Sequence, residues 1–256
     1  MELNCNPSLG DRLTRNTQRA RVISEAWFGA QGYCLNCSSS RLEATRAGTE
    51  FRDFECPVCS QAYELKSSAR AHASVVQDGG FDSMMRRIRA EEAPALMLMH
   101  YGPDWAVQKL VAIHPVFLTP AVVRKRPKPH IRPKSGAEYW MCDIDLTRIP
   151  PDGKVVLVSE SQVVPVAKAR AAFVASKRFE DIPLGKRGWT ALVLACIRGL
   201  GKREFSLYEV YACEAVLQAA YPENRNVRDK IRQQLQVLRD LGYLEFAGAG
   251  EYRLLR

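Results

Sequence analysis

The chain has 256 residues, 46% hydrophobic and 25% charged, a composition typical of a folded globular protein. It has no apolar run near the roughly 20 residues that a membrane-spanning helix needs, and its first residues do not resemble a signal peptide, so we expect a cytoplasmic protein with no membrane partner. The formal net charge of +9 favours a nucleic-acid partner, and a basic surface without such a partner is the alternative.

Two kinds of periodicity occur before residue 182. Helical spacing predicts a helix that starts after Thr17 and includes Glu25 to Phe28, and further helices over 84–90 and 167–179. Alternation and short apolar runs predict strands within 51–67, 95–101, 109–117, 143–146 and 155–158. The Pro and Gly in Ile182-Pro183-Leu184-Gly185 indicate a linker, so we expect one domain over 1–183 and a second over 184–256.

Four of the eight cysteines form two CxxC pairs, Cys34 with Cys37 and Cys56 with Cys59, with 18 residues between the pairs. Two thiolates on each of two tight turns supply the tetrahedral sulfur ligands that zinc prefers, and the spacing is typical of zinc sites. We predict a structural Zn²⁺ because four thiolates leave no open position for catalysis. A redox-active CxxC is the alternative, but it does not explain two such turns at this separation.

A carboxylate pair and a lysine surround the second CxxC. Asp53 precedes it, and Glu64-Leu65-Lys66 follows it. In a strand, Glu64 and Lys66 share one face, and an antiparallel neighbour that carries Asp53 places its carboxylate beside Glu64. Two carboxylates and a backbone carbonyl, that of Leu65, form an oxygen site suited to Mg²⁺. The alternative is a solvated strand face with a cross-strand ion pair.

The order of elements after residue 185 predicts a winged helix. Apolar residues recur at helical spacing from Trp189 to Ile197, Ser206-Leu207-Tyr208-Glu209 is a capping box that opens a second helix, and a third helix begins near Asn226. The segment from Tyr243 to Leu254 predicts a hairpin. Cations and amides lie off the apolar stripe of the third helix, and we predict that four of them bind DNA: Arg228, Arg232, Gln233 and Gln236. A winged helix that binds protein is the alternative.

A basic, proline-rich segment runs from Arg124 to Lys134 and includes Lys125 and Arg126. We predict that these cations bind the DNA backbone, although most such runs are solvated loops. Trp140 follows the segment, and we predict that Trp140 and Trp189 stack on DNA bases. The alternative is that each is a core residue.

The chain resembles the DpnI type of methyl-directed restriction endonuclease along nearly its full length. The resemblance is carried by these segments: Tyr33 to Cys37, Asp53-Phe54, Cys56 to Cys59, Phe81 to Met85, Asp145-Leu146, Arg187 to Thr190 and Lys230 to Gln236. The CxxC pairs, the acidic position and the Glu-x-Lys triplet occur in the family's order. Residues 103–138 are not matched, so DNA contacts there rest on charge alone.

The resemblance implies an α/β PD-(D/E)xK nuclease domain with a four-cysteine zinc site, followed by a winged-helix domain. It assigns catalysis to Asp53, Glu64 and Lys66, although Arg52 stands where the family's name implies a proline. It also implies a Mg²⁺-dependent type II enzyme that cuts duplex DNA at GATC when the adenine carries an N6-methyl group. We expect the protein to be a monomer. The alternatives are a non-catalytic methyl-DNA-binding protein or transcription regulator, and a zinc-bearing RNA-binding protein.

Overall fold

The computed structural model describes residues 1–46, 52–72, 74–133 and 135–255, which form a mixed α/β protein. Two residues used in the sequence analysis, Phe51 in the first predicted strand segment and Lys134 at the end of the basic segment, lie outside the described residues.

The described chain contains seven α-helices and fifteen strands. The helices are α1 (Asn16–Gln31), α2 (Phe81–Arg89), α3 (Val166–Ala175), α4 (Leu184–Gly199), α5 (Leu207–Tyr211), α6 (Glu214–Ala220) and α7 (Val227–Asp240). The strands are β1 (Glu43–Ala44), β2 (Phe54–Glu55), β3 (Ala62–Ser68), β4 (Val75–Gly80), β5 (Ala95–Tyr101), β6 (Val107–Ile113), β7 (Val123–Lys125), β8 (His130–Ile131), β9 (Glu138–Tyr139), β10 (Met141–Asp145), β11 (Lys154–Ser159), β12 (Gln162–Val163), β13 (Glu204–Ser206), β14 (Leu244–Gly248) and β15 (Glu251–Leu254).

These elements form two compact units, each built from separate stretches of the chain. The first unit comprises Met1–Ala73, Ala90–Pro115 and Gly153–Lys177. The second comprises Ser74–Arg89, Val116–Asp152 and Arg178–Arg256. The second unit therefore combines segments from both sides of residue 183, where the sequence predicts a domain boundary.

The first unit is organised around a sheet with the strand order β1-β2-β3-β5-β6-β11-β12. Strands β3 and β5 run parallel, and the other neighbouring strands run antiparallel. Strand β5 is central and nearly all buried, which explains its continuous apolar sequence. Helix α1 contacts β3, and its Ile23, Trp27 and Phe28 are buried in the core because their spacing places them on one helical face.

The second unit contains a smaller sheet, ordered β4-β10-β7, which α2 contacts. It also contains helices α4 to α7 and the sheet β13-β15-β14, an arrangement that defines a winged helix. Helix α7 buries Val227, Ile231, Leu235 and Leu238 on one face. Buried Gln234 accepts a hydrogen bond from the Thr190 hydroxyl at 2.7 Å, which ties α7 to α4 without an unpaired polar group at this contact.

The element predictions hold best where the apolar pattern is long. The α/β class and the strand at 95–101 are confirmed. The strand predicted over 109–117 is displaced to β6, and a 3₁₀ turn begins at Pro115. The predicted second helix of the winged helix is divided into α5 and α6, and the basic segment contains β7 and β8, which sequence analysis missed because strands of two or three residues carry little periodicity.

Among the described residues, no helix has both the length and the apolar character that crossing a membrane requires.

The capping box that opens α5 offers a test of local stability. The Ser206 Oγ accepts from the Glu209 backbone N–H at 3.3 Å, and the Glu209 Oε2 accepts from the Ser206 backbone N–H at 2.8 Å. Ser206→Ala should lower the free energy of unfolding by about 1 kcal/mol, because it leaves a helix N–H without its cap. Urea unfolding measures this. Ser206→Thr, which keeps a capping hydroxyl, should recover most of the loss, and equal losses for both variants would contradict the explanation.

Candidate functional site

The four cysteines of the two CxxC pairs converge on one point in the first unit. Their sulfur atoms all lie within 4.8 Å of one another, with Cys34 and Cys59 at 3.5 Å and Cys37 and Cys56 at 3.6 Å. Zinc–thiolate bonds of about 2.3 Å in a tetrahedron separate sulfurs by about 3.8 Å, so the cluster has the dimensions of a zinc site.

The turn of each CxxC pair directs backbone donors at sulfur. The Asn36 N–H donates to Cys34 Sγ at 3.3 Å, and the Val58 N–H donates to Cys56 Sγ at 3.4 Å. Burial raises the pKa of the Cys34 thiol to about 12, although hydrogen bonds, first that from Tyr63, act against the rise. Metal binding and loss of the thiol proton are coupled at such a site, because zinc binds the thiolate form.

The cluster is held by side chains from two other elements. The hydroxyl of Tyr63, a fully buried residue of β3, donates to Cys34 Sγ at 3.3 Å and accepts from the Leu35 N–H at 2.8 Å. Arg170 of α3 donates to the carbonyl oxygens of Cys34 and Ser39 at 2.9 and 2.7 Å. Such outer contacts orient metal ligands, and here they tie the first CxxC turn to the central sheet.

Asp53, Glu64 and Lys66 take part in two separate contacts on or next to β3 in the first unit. The Asp53 Oδ2 accepts from the backbone N–H of Leu65 at 2.8 Å, and the Lys66 Nζ lies 2.6 Å from Glu64 Oε1. The side chain of Glu64 is only 10% exposed, so solvent screens this ion pair weakly.

The pairing of β2 with β3 explains the arrangement. Phe54 lies opposite Tyr63 and Glu55 opposite Ala62. Asp53 directly precedes β2 and lies just outside the paired residues. The backbone N–H of Asp53 donates to the Tyr63 carbonyl at 3.0 Å, which holds Asp53 beside β3. The catalytic roles of Asp53, Glu64 and Lys66 stay a prediction.

Helix α1 contributes two residues that the sequence analysis did not select. The Arg21 Nε donates to Glu25 Oε1 at 2.6 Å, and the Arg21 Nη2 lies 3.8 Å from Asp53 Oδ1. The only sequence signal is their i, i+4 spacing, which is common on solvated helices.

His72, which follows β3, was also missed by the sequence analysis. Its Nε2 lies 3.2 Å from the Lys66 carbonyl oxygen, and burial lowers the pKa of its ring.

In the second unit, the basic segment is partly neutralised. The Arg124 Nε lies 3.6 Å from Asp145, and the Arg126 Nη2 lies 2.7 Å from Asp143. Both acids belong to β10, which pairs with β7, so these arginines are held at defined positions and are not part of a solvated loop.

The two tryptophans predicted to stack on DNA bases, Trp140 and Trp189, differ in how far their rings are buried. Trp140 is half-buried, and the Lys125 ammonium lies 3.9 Å from the centre of its ring. Trp189 is 6% exposed, and its ring stacks on Tyr221 with centroids 4.1 Å apart. The prediction that Trp189 stacks on a base is therefore not supported, because its ring is enclosed in the core of the winged helix.

The predicted contact residues of α7 lie on its solvent face. Arg228, Arg232, Gln233 and Gln236 are exposed, opposite the apolar stripe that packs inward. Both arginines lie over the ring of Tyr211, at 5.1 and 5.8 Å from its centre, and Arg228 also pairs with Glu214 at 2.8 Å. The helix thus presents cations and amides together, the combination that contacts phosphates and base edges.

An α/β body with a four-cysteine zinc cluster, joined to a winged helix with a basic solvent face, defines a zinc-binding DNA-binding protein. The family model described as DpnI, the Dam-replacing family, matches residues 1–181, and the model described as the Dam-replacing helix-turn-helix domain matches residues 185–254. The chain belongs to the DpnI, or Dam-replacing, family, and membership makes it a methyl-dependent restriction endonuclease.

The contact between Tyr63 and the cluster gives a prediction about zinc retention. Tyr63→Phe removes the O–H donor to Cys34 Sγ and the acceptor for the Leu35 N–H, so zinc affinity should fall about 10-fold. Competition with a chromogenic chelator measures this.

The matched control is Tyr33→Phe. Tyr33 is also buried, but within the described chain its hydroxyl has no hydrogen-bond partner. Zinc affinity should be unchanged in this variant, and an equal loss in both would show that the Tyr63 hydroxyl has no specific role.

Proposed function

We propose that the protein hydrolyses duplex DNA at GATC sites whose adenine carries an N6-methyl group, acting as a monomer with Mg²⁺ as its catalytic cation. The observation that supports this most is the hydrogen bond from the backbone N–H of Leu65, the residue between Glu64 and Lys66, to the Asp53 carboxylate. This bond links the acidic residue that precedes β2 to the Glu-x-Lys triplet of β3, within a chain whose family consists of methyl-dependent restriction enzymes.

The donors near Asp53 suit a hard cation. Asp53 and Glu64 offer carboxylate oxygens, the Leu65 carbonyl offers a third oxygen, and no sulfur or imidazole is needed. When bound, Mg²⁺ supplies charge neutralisation at the phosphate and lowers the pKa of a water molecule.

The chain's own groups then have distinct tasks. Lys66 directs its ammonium toward the attacking water or toward the charge that develops on phosphorus-bound oxygen, and its contact with Glu64 restricts where that ammonium lies. Because the reaction is an in-line displacement, the groups mainly position reactants and stabilise charge.

DNA binding is assigned to two surfaces of the second unit. Arg228, Arg232, Gln233 and Gln236 of α7 contact the major groove and nearby phosphates. Arg124, Lys125 and Arg126 contact the backbone, with weaker contributions from the two arginines because acids of β10 already neutralise them.

Methyl discrimination is assigned to Trp140. The N6-methyl group is an apolar handle in the major groove, and an aromatic face next to it favours the methylated base over bare adenine. The Lys125 ammonium 3.9 Å from the ring centre restricts the orientation of the indole.

The alternative is a methyl-DNA-binding protein or transcription regulator without hydrolytic activity. The Glu64–Lys66 ion pair is compatible with it, since such a pair also stabilises a strand face without catalysis.

Digestion of plasmid DNA distinguishes the proposed nuclease from a DNA-binding protein without hydrolytic activity. The protein with Mg²⁺ should cut methylated GATC plasmid and leave the unmethylated plasmid intact. Lys66→Ala should lower the rate at least about 100-fold with duplex affinity nearly unchanged, because the lost interaction forms in the transition state. Lys109→Ala, which removes an exposed lysine from β6 of the same sheet, should cut normally. Binding of methylated DNA by the wild type without any cutting would favour the regulator.

Replacement of Trp140 tests methyl recognition. Trp140→Ala should reduce the ratio of affinities for methylated and bare duplexes about 10-fold, and Trp140→Phe should keep part of it, because one aromatic face remains. Fluorescence anisotropy with matched oligonucleotides measures both. An unchanged ratio in a folded Trp140→Ala variant would exclude this residue as the methyl contact.

A further inference from the structure

Arg21 of α1 lies beside the Asp53 carboxylate with much of its side chain in solvent. It is 65% exposed, and its Nη2 lies 3.8 Å from Asp53 Oδ1, a distance longer than a hydrogen bond. In the part of the chain that the structure describes, its close partner is Glu25, whose Oε1 accepts from the Arg21 Nε at 2.6 Å. The Nη side of the guanidinium therefore retains donors for another acceptor.

A cavity of about 410 Å³ in the first unit opens next to these groups. Arg21, Glu25 and Asp53 line it together with Arg46 and Arg52. Arg52 is paired with Glu55 at 3.3 Å, so Arg21 is the arginine of this lining that lies beside Asp53 and can offer its Nη donors to an anionic ligand.

An ordinary surface ion pair does not account well for this geometry. An exposed arginine ion pair contributes little to stability, and the i, i+4 contact with Glu25 already pairs Arg21 within helix α1. The contact with Asp53 instead places a guanidinium beside a carboxylate whose other oxygen is already bonded to the Leu65 N–H.

We propose that Arg21 is a phosphate-binding residue of the nuclease site, an inference that rests on the proposed function. A guanidinium presents paired N–H donors that match two phosphate oxygens, and Arg21 is placed to hold a DNA phosphate close to Asp53. Glu25 is its positioning residue, because the Nε contact fixes the direction in which the Nη donors point.

This placement also couples DNA binding to cation binding. In the absence of DNA, the Arg21 guanidinium partly neutralises Asp53 and weakens its attraction for a divalent cation. A DNA phosphate that draws the guanidinium toward itself restores the full charge of Asp53. Phosphate and cation therefore bind cooperatively, each strengthening the affinity for the other by the same factor.

The test compares Arg21→Ala, Arg21→Lys and the wild type, with Arg41→Ala as the matched control. Arg41 is likewise exposed and near an acid, with its Nη2 3.6 Å from Glu43, but does not line the cavity. Without added Mg²⁺, the slope of log affinity for methylated duplex against log salt concentration should fall by about 1 in Arg21→Ala. The slope should stay unchanged in Arg21→Lys and Arg41→Ala.

Two further measurements complete the test. Without DNA, Mg²⁺ should bind Arg21→Ala severalfold more tightly than the wild type, as followed by calorimetry. Single-turnover cleavage by Arg21→Ala should be about 100-fold slower, and Arg21→Lys should lie between it and the wild type, since the charge remains but the paired donors do not.

The outcomes separate this inference from the proposed function. Wild-type cleavage with an unchanged salt slope and unchanged cleavage in Arg21→Ala would overturn the role of Arg21 and leave the nuclease assignment intact. A wild type that does not cut, together with a reduced slope in Arg21→Ala, would overturn the nuclease assignment and support phosphate binding by Arg21. Retained zinc and circular dichroism establish that each variant is folded.

Discussion

The hydrogen bond from the Tyr63 hydroxyl to Cys34 Sγ joins the zinc cluster to the strand that carries Glu64 and Lys66. The second CxxC pair forms the turn between β2 and β3, and Asp53 flanks β2. Cross-linking that turn to Cys34 and Cys37 through a metal fixes the register of two short strands that have little pairing energy of their own. A metal held by the four cysteines thereby fixes which residues of β2 and β3 lie opposite each other.

Charge balance around Asp53 is the second organising feature of the first unit. Asp53, Glu64 and Glu25 are matched by Arg21 and Lys66, and a backbone N–H takes one oxygen of Asp53. Acids collected at one place repel each other unless cations or hydrogen bonds compensate them.

The cations of the second unit are paired with acids but differ in their surroundings. The arginines of the basic segment pair with acids of β10, whereas Arg228 and Arg232 of α7 lie over Tyr211 on an exposed helix face and pair with Glu214 and Asp229. The paired arginines are ordered in advance, which reduces the entropy lost on binding but also reduces their net attraction for phosphate. The winged helix and Trp140, which directly precedes β10, belong to the same compact unit.

The amino-acid sequence by itself determined the zinc ligands, the buried strand β5, the capping box and the exposed face of α7, because each depends on spacing within one short segment. Only the tertiary structure decided that Arg21 lies beside Asp53, that Trp189 is enclosed against Tyr221 and that Arg124 and Arg126 pair with β10. Those contacts join residues between 17 and 32 positions apart, and local periodicity carries no information about which distant side chains will meet. Packing of whole elements sets such pairs, as it also set the compact units that combine segments from both sides of residue 183.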